Sequence, residues 1–234
     1  MQLNNTFLKL DLLLFSPYYY LFQPGTIIDI INQASHYGDD DTHRLTEIVG
    51  FAVAGSETIS QALAWILFEL SKNPDEAEKV RNALLDTPES ERATCSALRN
   101  LVKEVMRLHP PAALSVVRVL GREFQTDDGC ILPKGTIAFL PHTLANRFPK
   151  VYGQNADEFR PDRWNDADEK MKTAFAPFAS GQRNCIGQGL ATTEIHTFLA
   201  ILLPKYKFEF VKDFTPTMLI AYHPMDGLLK VSKW

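Results

Sequence analysis

The sequence has few cysteines and no arrangement of residues that is typical of a structural metal site. Its three cysteines, Cys95, Cys130 and Cys185, lie far apart, and none belongs to a C-x-x-C motif. The six histidines show no ligand spacing such as H-x-x-x-H beside an acidic residue. These absences argue against a zinc site and a disulfide framework, and they favour a reducing compartment.

Long apolar runs are also absent from the first 25 residues. Lys9, Asp11 and Pro17 interrupt the apolar stretch there, so no run reaches the roughly 18–20 residues that a membrane span needs. The stretch also lacks the basic region and the small-residue cleavage site of a signal peptide. We interpret residues 1–25 as a short amphipathic helix packed on a partner, with a poorly anchored interfacial segment as the alternative, and assign them no function.

An excess of basic charge is the third absence. The net charge of −4 argues against a nucleic-acid partner. The 234 residues are 45% hydrophobic and 22% charged, a composition typical of a globular protein with enough apolar material for a core.

Apolar periodicity predicts helices along much of the chain. We predict a short helix capped by Thr26 and ending near Gly38, a long helix over about 42–73, and further helices over 74–86, 96–109 and after Cys185. Asn73 is expected to cap the helix that begins at Pro74. Strands are predicted at 115–120, 122–126, 135–140 and 205–211 and within 218–234, with Asp128-Gly129 as a hairpin turn. Residues 146–176 are predicted to be irregular.

One cysteine lies in a setting suited to a metal-bound thiolate. The segment from Phe178 to Gly187 reads F-x-x-G-x-R-x-C-x-G, with Gly181, Arg183 and Cys185 at the remaining fixed positions. Since a helix follows directly, Cys185 is predicted at a helix N-terminus, where free N–H groups favour negative charge. Glycine permits turns closed to other residues and a close approach of the backbone to a flat group. The alternative is a buried structural cysteine in a glycine-rich turn.

This segment resembles the haem-binding signature of the cytochrome P450 family at every fixed position. The resemblance implies that Cys185 is the axial thiolate ligand of haem iron, that Arg183 binds a haem propionate, and that Phe178 packs near the sulfur. Gly181 and Gly187 would lie against the cofactor.

The long helix contains a second motif, Ala54-Gly55-Ser56-Glu57-Thr58. Glycine and threonine weaken a helix interior, and a threonine hydroxyl can bond the carbonyl four residues earlier, so we predict a break or kink there. Taken alone, the motif also fits simple close packing of helices. It resembles the family's oxygen-activation element, which implies that Thr58 and Glu57 guide protons and that Ala54 and Gly55 border the haem.

Two charged motifs further along the chain suggest a structural network. Glu104 and Arg107 form an E-x-x-R on one face of a helix, which alone would be read as a surface pair. The run Phe159-Arg160-Pro161-Asp162-Arg163-Trp164 resembles the family's proline–acid–arginine–aromatic box, with Asp162 and Trp164 replacing the commoner glutamate and phenylalanine. The resemblance implies that Glu104, Arg107 and Arg163 form a structural triad.

The resemblance also suggests a second propionate partner and the regions that face a substrate. Arg118 corresponds to an arginine that reaches a propionate, although a solvated charge on a strand is the alternative. The residues expected to face a lipophilic substrate, which are apolar except for one serine, are Ala112, Ala113, Leu114, Ser115, Val116 and Leu219.

The expected fold is mainly α with small β-sheets (α+β), as the C-terminal portion of a cytochrome P450 domain over residues 26–234. Because the family's catalytic domain is about twice as long as this chain, its N-terminal half is expected to be missing. That half would supply further propionate contacts, the substrate lid and any membrane anchor.

The function that follows from the resemblance is monooxygenation of a lipophilic substrate with haem and dioxygen. Electrons would come from an NADPH-dependent reductase or a ferredoxin-type donor. The alternatives are a haem-thiolate isomerase or dehydratase, against which the Glu57-Thr58 pair argues, and a non-catalytic fragment that binds haem weakly or interacts with proteins. The localisation is open; a eukaryotic full-length parent would reside at the endoplasmic reticulum membrane, facing the cytoplasm.

Overall fold

The computed structural model describes residues 7–8, 26–35, 41–113, 116–218 and 221–234. Within these ranges the chain is mainly helical. The helices are α1 (Ile27–Gln33), α2 (Asp41–Lys72), α3 (Pro74–Asp86), α4 (Ser96–Leu108), α5 (His142–Ala145), α6 (Pro149–Tyr152), α7 (Glu169–Ala174) and α8 (Gln188–Leu202). Short 3-10 turns occupy Glu89–Thr94, Pro161–Trp164 and Gly181–Arg183.

The strands of the described part form small antiparallel sheets. One sheet has the order β1 (Phe7–Leu8), β9 (Leu228–Lys233), β6 (Tyr206–Lys212). Three two-stranded sheets pair β2 (Val116–Val119) with β5 (Ile137–Leu140), β3 (Phe124–Gln125) with β4 (Ile131–Leu132), and β7 (Thr215–Met218) with β8 (Tyr222–Met225). This arrangement confirms the predicted α+β class.

The main core forms around the second half of α2, where nearly every residue from Ala62 to Ser71 is buried. Apolar residues of α3, α4 and α8 surround it, including Leu84, Leu98 and Leu199. By length and composition alone α2 could cross a membrane, but burial in this core accounts for its apolar second half. The first half of α2 remains outside the core.

Trp65 connects three parts of the core. Its indole stacks on His109 at 4.0 Å between ring centroids and on Tyr222 at 5.0 Å. Its Nε1–H donates to the Tyr222 carbonyl at 2.7 Å. Since Tyr222 lies in β8, these contacts fix the β7–β8 hairpin against α2.

The predicted long helix is present, but without the predicted break. It extends as one continuous helix from Asp41 to Lys72, and Gly55 lies inside it. The Thr58 hydroxyl donates to the Ala54 carbonyl at 2.7 Å, a bond that adds to the helical ladder without removing a backbone donor. Glycine and threonine are therefore tolerated here without an interruption of the helix.

Two helix ends differ from the prediction. Helix α1 ends at Gln33 and not near Gly38, because the backbone of Ala34 is already extended at ψ 113°. Residues 36–40 lie outside the described residues. Asn73 precedes Pro74 as predicted, but its side chain does not cap α3. Instead, its amide donates back to the Glu69 carbonyl at 2.8 Å and closes the end of α2.

The prediction for the first 25 residues is wrong where the structure describes them. Phe7 and Leu8 form a strand that pairs with Lys230 and Leu229 of β9, not a helix. The open edge of β9 offers backbone partners to any extended segment, and no local pattern marks so short a strand. The remainder of residues 1–25 lies outside the described residues.

Candidate functional site

Cys185 lies in a turn that leads into α8. Its backbone N–H donates to the Phe178 carbonyl at 2.9 Å, which closes the turn across Gly181–Arg183. Helix α8 begins at Gln188 with Gly187 as its N-cap, so Cys185 precedes the helix by one short turn. The cysteine is exposed and is not part of a disulfide. Its thiol is therefore accessible to a ligand, and the alternative of a buried structural cysteine does not fit.

The two glycines of this turn have different roles. Gly181 has a φ of 77°, a conformation that other residues adopt only at a cost, and Ala179 nearby has a φ of 59°. Gly187 has an ordinary φ of −82°, so the expectation of a special turn is wrong for it. A Cβ added at Gly187 would lie 3.8 Å from the Cys185 Sγ. Glycine there keeps one side of the sulfur uncovered.

The two predicted propionate partners are accessible cations. Arg183 is exposed at the end of its 3-10 turn, and Arg118 is exposed on β2, opposite Ala138 of β5. Arg118 donates to the neighbouring Val117 carbonyl at 3.0 Å. Within the described ranges neither arginine forms an ion pair with a carboxylate. Both guanidinium groups are thus available to an anionic ligand.

Exposed apolar side chains flank the cysteine turn and the start of the long helix. Ile186, just before α8, is 88% exposed, and Leu190 in α8 is 54% exposed. In the first half of α2, Leu45 and Val49 are 61% and 51% exposed. An exposed thiol, unpaired cations and uncovered apolar side chains are the features that a large, flat, apolar cofactor with carboxylates requires, so these residues fit haem.

Glu57 and Thr58 lie next to each other on α2 but have different partners. The Thr58 hydroxyl bonds the Ala54 carbonyl. Oε1 of Glu57 lies 2.6 Å from Nε2 of His223 in β8, a residue that none of the motifs includes. Ala54 is exposed, and a Cβ added at Gly55 would meet no atom within 4 Å. This face of α2 is therefore open next to both polar residues.

The structure brings Glu104, Arg107 and Arg163 together in a buried network. Glu104 and Arg107 are fully buried. Arg107 donates through Nε to Glu104 Oε2 at 3.0 Å and through Nη2 to Oε1 at 2.8 Å, and Arg163 Nε donates to Oε1 at 2.8 Å. The reading of Glu104 and Arg107 as a surface pair is thereby excluded.

Two further donors to Glu104 were missed by the sequence analysis. The Trp164 Nε1–H donates to Oε2 at 3.0 Å, and the Arg160 backbone N–H donates to Oε1 at 2.8 Å. Trp164 was noted only as a replacement for phenylalanine, yet its indole N–H was the available signal, since a buried indole needs an acceptor. Asp162 points elsewhere and pairs with Lys79 of α3 at 2.5 Å.

The network also fixes the segment that follows α5. Arg107 Nη1 donates to the carbonyls of Asn146 and Ala156 at 2.8 and 2.6 Å. The Arg107 guanidinium lies 5.0 Å from the centroid of the Tyr152 ring. Burial raises the pKa of Tyr152 to about 12, so this ring stays neutral beside the cation. The arginines thus hold residues 146–163 against α4. This segment is not wholly irregular as predicted, because it includes α6 and the start of the Pro161–Trp164 turn.

The predicted substrate-facing residues do not all share one environment. Ala112 is exposed, but Ala113 is 2% exposed and belongs to the core, so its assignment to a substrate surface is wrong. The reason is that Ala113 packs inward at the turn that follows Pro111. Val116 begins β2, where only its backbone is described. Leu114, Ser115 and Leu219 lie outside the described residues.

Comparison with known proteins places this geometry in a family. The sequence model described as Cytochrome P450 matches residues 24–231. Cytochrome P450 monooxygenase claU of Ampulloclitocybe clavipes is 33% identical over 224 residues, which cover 85% of this chain and 41% of that protein. Echinocystic acid 23-monooxygenase of Saponaria officinalis is 36% identical over 189 residues, which cover 76% of this chain and 36% of that protein.

A solved structure shares the fold. The crystal structure of a cytochrome P450, CYP102L1, superposes with a TM-score of 0.77 at 24% identity, over 91% of this chain and 52% of that one. The chain spans less than half the length of the curated relatives that it matches.

Proposed function

Because this chain belongs to the cytochrome P450 family, we propose that it supplies the thiolate-bearing part of a haem monooxygenase domain that acts on a lipophilic substrate. The observation that carries the proposal is the exposed Cys185 in a complete F-x-x-G-x-R-x-C-x-G turn before α8. Curated relatives named as monooxygenases support the reaction class.

Cys185 would ligate the haem iron, and Arg183 and Arg118 would bind its propionates. Haem, when bound, supplies the reductive activation of dioxygen and the insertion of one oxygen atom into a C–H bond. The turn at Phe178–Gly187 holds the sulfur in place through the bond from the Cys185 N–H to the Phe178 carbonyl. The protein's share of the chemistry is thus to fix the position of the Cys185 sulfur before the cofactor binds.

Glu57 and Thr58 would handle the protons that oxygen activation consumes. The Thr58 Oγ donates to Ala54 and keeps an acceptor lone pair for a water molecule or a proton donor. The Glu57 carboxylate is 30% exposed, so it can exchange protons with water. Electrons would come from an NADPH-dependent reductase or a ferredoxin-type donor.

The rest of the haem cover would come from residues other than 26–234. The first half of α2 and the start of α8 leave apolar side chains uncovered, and no described element lies over them. Water would reach an incompletely covered haem and divert the reaction towards peroxide. We therefore expect the 234-residue chain alone to bind haem weakly and to lack coupled turnover.

The test compares the chain alone with a domain in which residues 26–234 are joined to the N-terminal half of the claU relative. Both proteins receive haem, a reductase, heavy-isotope dioxygen and a panel of lipophilic substrates. We expect labelled product from the completed domain only. Coupled turnover by the chain alone would contradict the need for further cover, and product without the label would favour an isomerase or dehydratase.

A further inference from the structure

Glu57 has a partner far away in the sequence. The Nε2 atom of His223 lies 2.6 Å from Oε1 of Glu57, and the two side chains are 11% and 30% exposed. No atom of the described residues meets hydrogen-bond geometry with His223 Nε2, so this is a close polar contact and not a linear hydrogen bond. It joins the β7–β8 hairpin to the motif-bearing part of α2.

The position of His223 is well fixed. Its register partner in β7 is Thr217, and the preceding residue, Tyr222, is held on both sides. The Tyr222 N–H donates to the Pro111 carbonyl at 3.0 Å, and the Tyr222 carbonyl accepts from Trp65 at 2.7 Å. An imidazole on this anchored backbone has only two rotatable side-chain bonds, whereas glutamate has three. His223 therefore restricts Glu57 more than Glu57 restricts His223.

The neighbouring hydroxyl gives Glu57 no support. Thr58 Oγ1 is engaged with the Ala54 carbonyl, and within the described residues His223 is the ionisable side chain that contacts the Glu57 carboxylate. Without His223, the acid would be free to rotate on the open face of α2. Its distance to any reacting group would then vary.

We propose that His223 is a positioning residue that holds the Glu57 carboxylate in place beside Thr58. This inference rests on the proposed function, because it concerns the acid that is assigned there to proton handling. Leu219, which was predicted to face the substrate, lies between β7 and β8 in the sequence and outside the described residues. The position of the acid is thereby tied to the β7–β8 hairpin.

The first test detects the pair without haem or turnover. Side-chain NMR of the haem-free 234-residue chain should show a His223 Nε2 resonance that shifts in Glu57→Gln. The matched control is Glu47→Gln, because Glu47 faces His43 on the same helix at 3.8 Å and both are exposed. Glu47→Gln should leave the His223 resonance unchanged. A resonance that is insensitive to Glu57→Gln would show that the pair does not form.

A double-mutant cycle measures how strongly the pair is coupled. We expect His223→Phe and Glu57→Gln to be non-additive in urea unfolding, by at least about 2-fold in the folding equilibrium constant, as for residues in contact. Additive effects would overturn the inference. His223→Phe keeps a flat ring of similar size, so loss of the core is not expected.

The second test separates positioning from mere stability, and it uses the completed domain described above. His223→Phe should raise the peroxide formed per NADPH by at least about 3-fold, a small part of the roughly 100-fold that a placed general acid contributes. His223→Lys, whose ammonium can reach the carboxylate, should restore the wild-type ratio. His43→Phe is the control and should leave the ratio unchanged.

The outcomes distinguish the two proposals. A wild-type domain that uses dioxygen, with an unchanged peroxide ratio in His223→Phe, would overturn the positioning role and leave the monooxygenase function intact. A wild-type domain with no thiolate-ligated haem would overturn the proposed function, and the positioning role with it. An NMR shift in that case would identify a structural contact only.

Discussion

Removing the Glu104 carboxylate should destabilise the fold severely. Glu104 is fully buried and accepts from Arg107, Arg163, Trp164 and the Arg160 backbone. Glu104→Ala would leave two buried guanidinium groups without a counter-charge, and the typical cost of removing one partner of a buried pair is about 3–5 kcal/mol. Carbonyl acceptors such as those of Asn146 and Ala156 soften the loss but carry no full negative charge.

The size of this loss decides how the variant will behave. Domains are stable by only about 5–15 kcal/mol, so the change removes a large part of the total. We expect Glu104→Ala to aggregate or to remain free of haem. The stability of Glu104→Gln should lie between those of the wild type and Glu104→Ala. Its amide oxygen can accept hydrogen bonds from some of the donors, while its NH₂ group faces the others.

The assay is urea unfolding followed by circular dichroism, with Glu169→Ala as the matched control. Glu169 pairs with Lys172 at the same i,i+3 spacing and at a similar distance of 2.8 Å, but its side chain is 88% exposed. The control should unfold like the wild type, since exposed pairs contribute little. A soluble Glu104→Ala protein that unfolds like the control would refute the reasoning.

Two further predictions concern oxygen activation and pH. In the completed domain, Thr58→Ala should keep haem binding but raise the share of peroxide over product, because the hydroxyl bonded to Ala54 is lost. An unchanged ratio of peroxide to product would assign proton handling to Glu57 and water. Burial lowers the pKa of His109 from its ordinary 6.5 and outweighs the opposite effect of Glu69. The unfolded chain therefore binds a proton at His109 more readily than the folded chain does. The free energy of unfolding should fall as the pH drops below about 6.5. Burial also lowers the pKa values of His142 and His196. His109→Gln should therefore reduce the slope of urea unfolding midpoints against pH without abolishing it. A slope identical to that of the wild type would contradict the contribution of His109.

Local sequence patterns were enough to predict most helices and one hairpin. The long helix was placed within one residue at each end, at about 42–73 against the observed Asp41–Lys72. The hairpin signal Asp128-Gly129 corresponds to the turn between β3 and β4, where Gly129 has a φ of 87°. These features depend on periodicity and on backbone freedom, which are properties of neighbouring residues.

Contacts between distant residues were predicted only where a motif encoded them. The contact of Glu104 with Arg163 was expected from two motifs, whereas the donation from Trp164 and the His223–Glu57 pair were not. Strand β1 was missed for the same reason, because only its pairing with β9 defines it. Local propensity does not reveal which distant partner a polar or extended segment finds.

The ligand role of Cys185 is the central claim, and the spectrum of the reduced carbon monoxide complex of the haem-loaded completed domain tests it most directly. The wild type should show the red-shifted band of thiolate ligation. Cys185→Ala should abolish the band, whereas Cys95→Ala and Cys130→Ala should retain it. Cys130 is the sharper control, because it is exposed like Cys185. A red-shifted band that persists in Cys185→Ala, or that disappears in Cys130→Ala, would contradict the assignment.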